Sequence, residues 1–208
     1  MIISNPEIVI IDYNTGNVDS IIKILKFFNS SVELTNSHKA IENAQIIILP
    51  GQGSFSFGME QLNNLRLIDL IKDKVINKKT PILGICLGMQ ILATSGIENK
   101  YTEGLGFIDG EIKKIPTKYK LPHIGWNEVS FKNNNKIFFD IENNKDFYFI
   151  HSYYFECKNK ENIIATTNYG FEFPSAIQKK NILGFQFHPE KSLKNGLKLI
   201  GNFLKNNA

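Results

Sequence analysis

The sequence predicts an α/β fold: an open, mostly parallel central sheet with helices on both faces, and a second half richer in strand. Three observations carry this. Apolar runs alternate with amphipathic stretches through the first half, the runs are strand-length, and closely spaced β-branched and aromatic stretches crowd the second half.

Each element follows from its local pattern. Glu7–Ile11 ends in four consecutive apolar residues and reads as a buried strand; 18–28 reads as an amphipathic helix, 32–35 as a second strand and Ile46–Leu49 as a third. Ser54 or Phe55 opens a helix reaching about Asn77, and Ile82–Ile85 is the next buried strand. Beyond it the pattern predicts strands at 110–115, 128–131, 147–155, 163–167, 175–178 and 183–187, and a closing helix at 193–204. Asn133-Asn134-Asn135 and 158–162 read as surface turns. No repeat or linker divides the chain, so a single domain over 1–208 is expected.

One stretch carries chemistry. The run Pro81-Ile82-Leu83 leads into Gly84-Ile85-Cys86-Leu87-Gly88, followed by the helix-like Met89-Gln90-Ile91-Leu92-Ala93. That pattern predicts a buried strand turning sharply into a helix, with glycines where a Cβ would clash and the thiol near a helix N-terminus that favours a thiolate. About a hundred residues later comes Phe187-His188-Pro189-Glu190. In an extended segment His188 and Glu190 project to one face, so the carboxylate can hold one ring nitrogen while the other addresses sulfur. Alone, a cysteine on an apolar strand is usually a small core residue, and His-Pro-Glu is usually a turn. Together they are independent requirements of one mechanism, nucleophilic catalysis by Cys86 with His188 as base and Glu190 as its orienting acid.

Composition narrows the classes. With 208 residues and 42% hydrophobic side chains the chain can bury a sizeable core. Its net charge of +4 comes almost wholly from lysine, Arg66 being the one arginine, and pairs such as Lys78-Lys79, Lys113-Lys114 and Lys179-Lys180 are scattered rather than striped. Nucleic acid is therefore not the expected partner. The apolar runs fall far short of a membrane span, and the first residues carry no basic region or small-residue cleavage site, so a cytoplasmic address is expected. Cys86 and Cys157 make neither a disulfide framework nor a metal-ligand pattern, so no metal is expected.

Gly84-Ile85-Cys86-Leu87-Gly88-Met89-Gln90, Pro50-Gly51-Gln52-Gly53 and Phe187-His188-Pro189-Glu190 together resemble the class I glutamine amidotransferases, whose triad is Cys, His and Glu. Leu121-Pro122-His123-Ile124-Gly125-Trp126-Asn127, Tyr148-Phe149-Ile150-His151-Ser152-Tyr153 and Phe173-Pro174-Ser175-Ala176 are similar to the glutaminase subunits of imidazole glycerol phosphate synthase. The resemblance spans Asp12 to Phe203 and implies the same α/β architecture, L-glutamine as substrate, no cofactor, and ammonia channelled to a (β/α)8-barrel cyclase in a heterodimer of histidine biosynthesis.

It also implies residue roles. The backbone N–H of Leu87 and a peptide at Gln52 would bind the oxyanion; Gly51, Gly53, Gln90, Glu98, His151, Ser152 and Tyr153 would hold the glutamine; Asn17, Trp126 and Lys191 would line the partner interface. The chain departs from the family at Gln52, where valine is usual, and at Asn14, where glycine is common and where asparagine tolerates a left-handed backbone. Two other functions stand beside this one. A paralogous subunit could feed ammonia to a barrel-like partner that amidates a bacterial surface sugar, or the chain could be a catalytically silent binding subunit or stand-alone thiol hydrolase; the intact Cys86, His188 and Glu190 oppose the silent version.

Overall fold

The structure, a computed structural model, describes residues 7–16, 18–28, 31–132 and 134–207. The first half alternates as β1 (Glu7–Ile11), α1 (Asp19–Phe27), β2 (Ser31–Thr35), α2 (His38–Asn43), β3 (Ile46–Leu49), α3 (Phe55–Asn64), α4 (Ile68–Lys72), β4 (Ile82–Ile85) and α5 (Leu87–Ile91). The second half is mostly strand: β5 (Ser95–Gly96), β6 (Thr102–Glu103), β7 (Gly110–Lys114), β8 (His123–Phe131), β9 (Lys145–His151), β10 (Tyr153–Cys157), β11 (Ile163–Asn168), β12 (Glu172–Lys179) and β13 (Ile182–Phe185), closed by α6 (Leu193–Asn207).

Among the described residues one nine-stranded sheet runs β2-β1-β3-β4-β13-β12-β11-β8-β9, and a second of four strands runs β10-β7-β5-β6. Pairing is parallel from β2 through β13 and antiparallel from β13 out to β9. The parallel half explains its unbroken apolar runs, because side chains alternate between two covered faces. Ile8 and Ile10 of β1 join Ile46, Ile48, Ile21 and Leu25 of α1, and Leu199 and Phe203 of α6 on one face. Val9 and Ile11 join Ile47, Leu49, and Phe55, Leu62, Met89 and Ile91 of α3 and α5 on the other. Each such side chain stabilises the fold by about 1.5–3 kcal/mol of transfer free energy. No helix among the described residues is long and apolar enough to cross a membrane.

Several expected boundaries shift, each for a local reason. The single helix expected to about Asn77 breaks after Asn64: Arg66 takes φ 56°, ending α3, and α4 then runs into a π-helical turn at Asp73–Asn77. The short helix α2 was not expected; Ser37 caps it, its side chain accepting from the Ala40 N–H at 3.5 Å. The strand expected at 147–155 is two strands, β9 and β10, which part at Ser152 and enter different sheets. The strand expected at 128–131 begins five residues earlier, at His123, and the strand expected to Phe187 ends at Phe185, leaving Gln186, Phe187 and His188 beyond the sheet. Of the expected turns, Asn133 lies outside the described residues, while Asn135 and Asn159 each start a short 3-10 turn. Asn14 has φ 61°, the left-handed conformation its residue type tolerates.

Candidate active site

Cys86 stands between β4 and α5 with φ 53° and ψ −109°, a conformation that costs a non-glycine residue about 1–3 kcal/mol. The surroundings impose it. Its N–H donates to the Phe185 carbonyl at 2.8 Å, and its carbonyl accepts from the Gln90 N–H at 3.2 Å. The flanking glycines are required for close approach: a Cβ on Gly84 would lie 2.6 Å from the Gly88 carbonyl oxygen, and one on Gly88 would lie 1.7 Å from the Leu49 carbonyl oxygen. The elbow therefore packs directly on the strand that leads to Pro50-Gly51-Gln52-Gly53.

Sheet register delivers the rest. In the parallel pairing of β4 with β13, Gly84 faces Gly184 and Ile85 faces Phe185, so Cys86 and Gln186 leave the carboxyl edge side by side and His188 follows. The His188 N–H donates to the Tyr148 carbonyl at 2.8 Å, and the Ser192 hydroxyl donates to the His188 carbonyl at 2.6 Å. His188 Nδ1 donates to Glu190 Oε1 at 2.7 Å. Its other nitrogen, Nε2, is buried and has no hydrogen-bond partner among the described residues. Burial opposes charge on this ring, but the Cys86 sulfur beside it and the Glu190 carboxylate outweigh burial and raise its pKa from 6.5 to about 10.

A cleft of ≈ 340 Å³ opens over the cysteine, lined by Gln52, Gly53, Leu87, Gln90, Glu98 and the 150–153 segment, with Pro122 at its border. Two larger hollows, of ≈ 650 and ≈ 450 Å³, border Asn135 and Lys136 and hold neither cysteine nor histidine. Chemistry, not size, marks the site. Of the residues expected to hold glutamine, Gln90, Glu98, His151, Ser152 and Tyr153 all reach the cleft. Glu98 Oε2 accepts the Phe55 N–H at 2.7 Å, capping the start of α3, and burial pushes its carboxyl pKa up. Gly51 does not line the cleft. It is buried beneath, where a Cβ would meet the Tyr13 hydroxyl oxygen at 2.4 Å, and that hydroxyl donates to the Pro50 carbonyl. Gly53 has φ 114° with open space around it.

The histidine of the 151–153 run is spoken for. His151 Nδ1 donates to the Tyr153 carbonyl at 2.8 Å, and its Nε2 meets His123 Nδ1 at 3.2 Å. Asn127 Nδ2 lies 3.2 Å from His123 Nε2, so the donors all point one way, from Asn127 through His123 and His151 to Tyr153. Burial lowers the His123 pKa to about 4 and the His151 pKa to about 3, keeping both rings neutral. His151 thus offers the cleft its backbone rather than a ring nitrogen.

Trp126 and Lys191 meet on the surface through a residue the sequence did not single out. Tyr148 packs its ring edge-on against Trp126 at 6.0 Å, and Lys191 Nζ lies 5.6 Å from the same ring's centroid. Asn17 lies outside the described residues. Gln186 was also missed as a site residue. It is fully buried, and the signal available was a polar side chain between two phenylalanines in a strand-end motif.

Residues 9–207 match the family described as glutamine amidotransferase class-I. The chain belongs to that family. Over 95% of its length it is 48% identical to the imidazole glycerol phosphate synthase subunit HisH 2 of Methanococcus maripaludis, covering 98% of that protein. Over 93% of its length it is 43% identical to the corresponding HisH subunit of Leptospira borgpetersenii, covering 97% of it. A crystal structure of a glutamine amidotransferase superimposes with a TM-score of 0.76 at 16% identity, covering 96% of this chain and 98% of that one, a likeness of fold. The chain is therefore an enzyme of the glutamine amidotransferase type, with the α/β architecture expected from its sequence.

Proposed function

We propose that the chain is the glutaminase subunit of an imidazole glycerol phosphate synthase, hydrolysing L-glutamine and passing ammonia to a (β/α)8-barrel cyclase partner. The observation that carries this is the buried Cys86, His188 and Glu190 constellation at the foot of a cleft in a chain 48% identical to a HisH subunit.

The Cys86 thiolate attacks the γ-carboxamide carbon of glutamine, and the π electrons move to oxygen as the C–S bond forms. Leu87, Gln52 and Gly53 line the cleft, and the oxyanion role is assigned to their backbone N–H groups; removal of one such donor typically costs about a hundredfold to a thousandfold in rate. His188, protonated while the thiolate stands beside it, gives its Nε2 proton to the departing amine, so ammonia leaves and a γ-glutamyl thioester remains. Water then adds to the thioester with His188 as base, the C–S bond breaks, and glutamate is released. Glu98, whose second carboxylate oxygen is free of the α3 cap, suits the substrate's α-ammonium group; Gln90 and residues 151–153 complete the lining. Free ammonia is protonated and lost in water, which favours a partner seated over the site. The exposed Trp126 and Lys191 on either side of the half-buried Tyr148, with Asn17 in the same role, are the proposed seat.

The test is Cys86→Ala assayed with the cognate cyclase. Glutamine-dependent product is expected to vanish while ammonia-dependent synthesis persists. Retained glutamine turnover would remove Cys86 as nucleophile, and failure of the wild-type pair to make imidazole glycerol phosphate would remove the assigned pathway.

A further inference from the structure

Gln186 is fully buried, one residue past the end of β13, and its side chain lies between Gln90 and the nucleophilic sulfur. Which end of its amide faces which neighbour is decided by the network. The Tyr153 carbonyl can only accept, so the Gln90 atom 3.0 Å from it is the Nε2 donor. The second hydrogen of that NH2 group is directed at Gln186, which must present its oxygen, at 3.0 Å. The Gln186 NH2 group is then left facing Cys86 Sγ at 3.8 Å, cut off from water. The Tyr153 carbonyl is held from its other side by His151 Nδ1 at 2.8 Å, so the starting point of the chain is itself fixed.

We propose that Gln186 is a further catalytic residue: its side-chain amide donates to the Cys86 thiolate, and Gln90 is the positioning residue that aims it. The inference rests on Cys86 being the nucleophile. A neutral thiol is a weak acceptor, whereas a thiolate is a charged one, so a buried N–H aimed at sulfur gains most when sulfur is ionised. A further polar contact of the sulfur fits the opposite state: the Ile150 carbonyl, also at 3.8 Å, accepts from the thiol when it is protonated. His188 supplies the countercharge, and Gln186 supplies an uncharged donor that keeps sulfur placed while the imidazole exchanges its proton. The same donor acts when the thioester is hydrolysed. As the C–S bond breaks, the electron pair returns to Sγ, and the amide meets the charge that reappears there.

The experiment is alkylation of the full-length chain by iodoacetamide from about pH 5 to 10, with Cys86 and Cys157 resolved by peptide mass spectrometry. Two variants remove the donor. Gln186→Leu has neither donor nor acceptor, and Gln186→Met has no donor and only a weak thioether acceptor. Both are expected to slow Cys86 alkylation at neutral pH roughly tenfold or more and to move its pH profile upward. With the cognate partner, glutamine turnover is expected to fall about tenfold to a hundredfold in kcat, with KM changed less than about threefold. Should neither variant fold, the wild-type chain decides: the Gln186 side-chain amide resonance is expected to move with the same pH midpoint as alkylation. Wild-type alkylation profiles in folded variants, or a resonance indifferent to that midpoint, overturn the assignment of Gln186 alone. A wild-type Cys86 that alkylates no faster than Cys157 overturns the nucleophile instead.

Discussion

His188 Nδ1 lies 2.7 Å from Glu190 Oε1, and the two side chains are 2% and 4% exposed. The intervening Pro189 begins a 3-10 turn, which brings residues two apart in sequence into one hydrogen bond. A carboxylate this dry has one main task, to hold the ring in the tautomer that leaves Nε2 toward sulfur and to balance the imidazolium charge. Glu190→Gln is expected to lower kcat for glutamine hydrolysis by about a hundredfold to ten-thousandfold with folding preserved, measured by glutamate release. Turnover within about threefold of wild type would exclude Glu190 from the mechanism.

The histidines respond to pH in opposite senses. His188 is raised from 6.5 to about 10, so between those values the folded chain holds a proton that the unfolded chain has released. Its contribution to stability is whole below pH 6.5 and is lost as pH rises toward 10. His123 and His151, lowered to about 4 and about 3, stay neutral while the unfolded chain takes up protons below 6.5, so their contribution is whole above 6.5 and is lost as pH falls. Ring NMR titrations are expected to place His188 at the alkaline end and His123 and His151 at the acid end. Cys86→Ala is expected to lower the His188 midpoint, because the sulfur is the largest influence raising it.

Gly88→Ala tests the elbow's packing. The added methyl would fall 1.7 Å from the Leu49 carbonyl oxygen, which is backbone and cannot rotate away. A loss of about 2–3 kcal/mol or more in unfolding free energy is expected, read from denaturant midpoints. A change below about 0.5 kcal/mol would mean that the Leu49 carbonyl and the elbow are not in direct contact.

Trp126→Ala and Lys191→Ala test the proposed seat of the partner. Trp126 is 48% exposed, beside Tyr148, and an aromatic anchor at the centre of an interface typically contributes more than a charge at its rim. Titration calorimetry with the cognate cyclase is expected to show about a tenfold or greater loss of affinity for Trp126→Ala and a smaller, salt-dependent loss for Lys191→Ala. Wild-type affinity and wild-type stimulation of glutamine turnover in both variants would place the partner elsewhere.

The first half of the fold was legible because β1 from Ile8 onward, β3 and β4 are short apolar runs bounded by helix signals, while β2, with Glu33 at its centre, is a largely exposed edge strand. The second half was legible as strand but not as topology. The stretch 147–155 has one continuous pattern, and nothing local marks Ser152 as the point where the chain passes from one sheet to another. The break in the helix after Asn64 was equally hidden, because Arg66 in a left-handed conformation has no composition signature. At the site, Cys86, His188 and Glu190 were readable from spacing, whereas Tyr148 and Gln186 looked like ordinary strand residues until their neighbours were known.

The sequence by itself determined which cysteine is proposed as nucleophile, the glycines that let the elbow turn, and the alternation that builds a parallel sheet, since these depend on residues close together along the chain. Only the tertiary structure decided which way the Gln90 and Gln186 amides point, that His151 spends both ring nitrogens internally, and that Gly51 lies beneath the cleft rather than in it. Those outcomes depend on the register of β4 against β13 and of β8 against β9, which pairs residues far apart in sequence. A hydrogen bond's direction is set by the partner across the gap, and that partner is not written beside it in the chain.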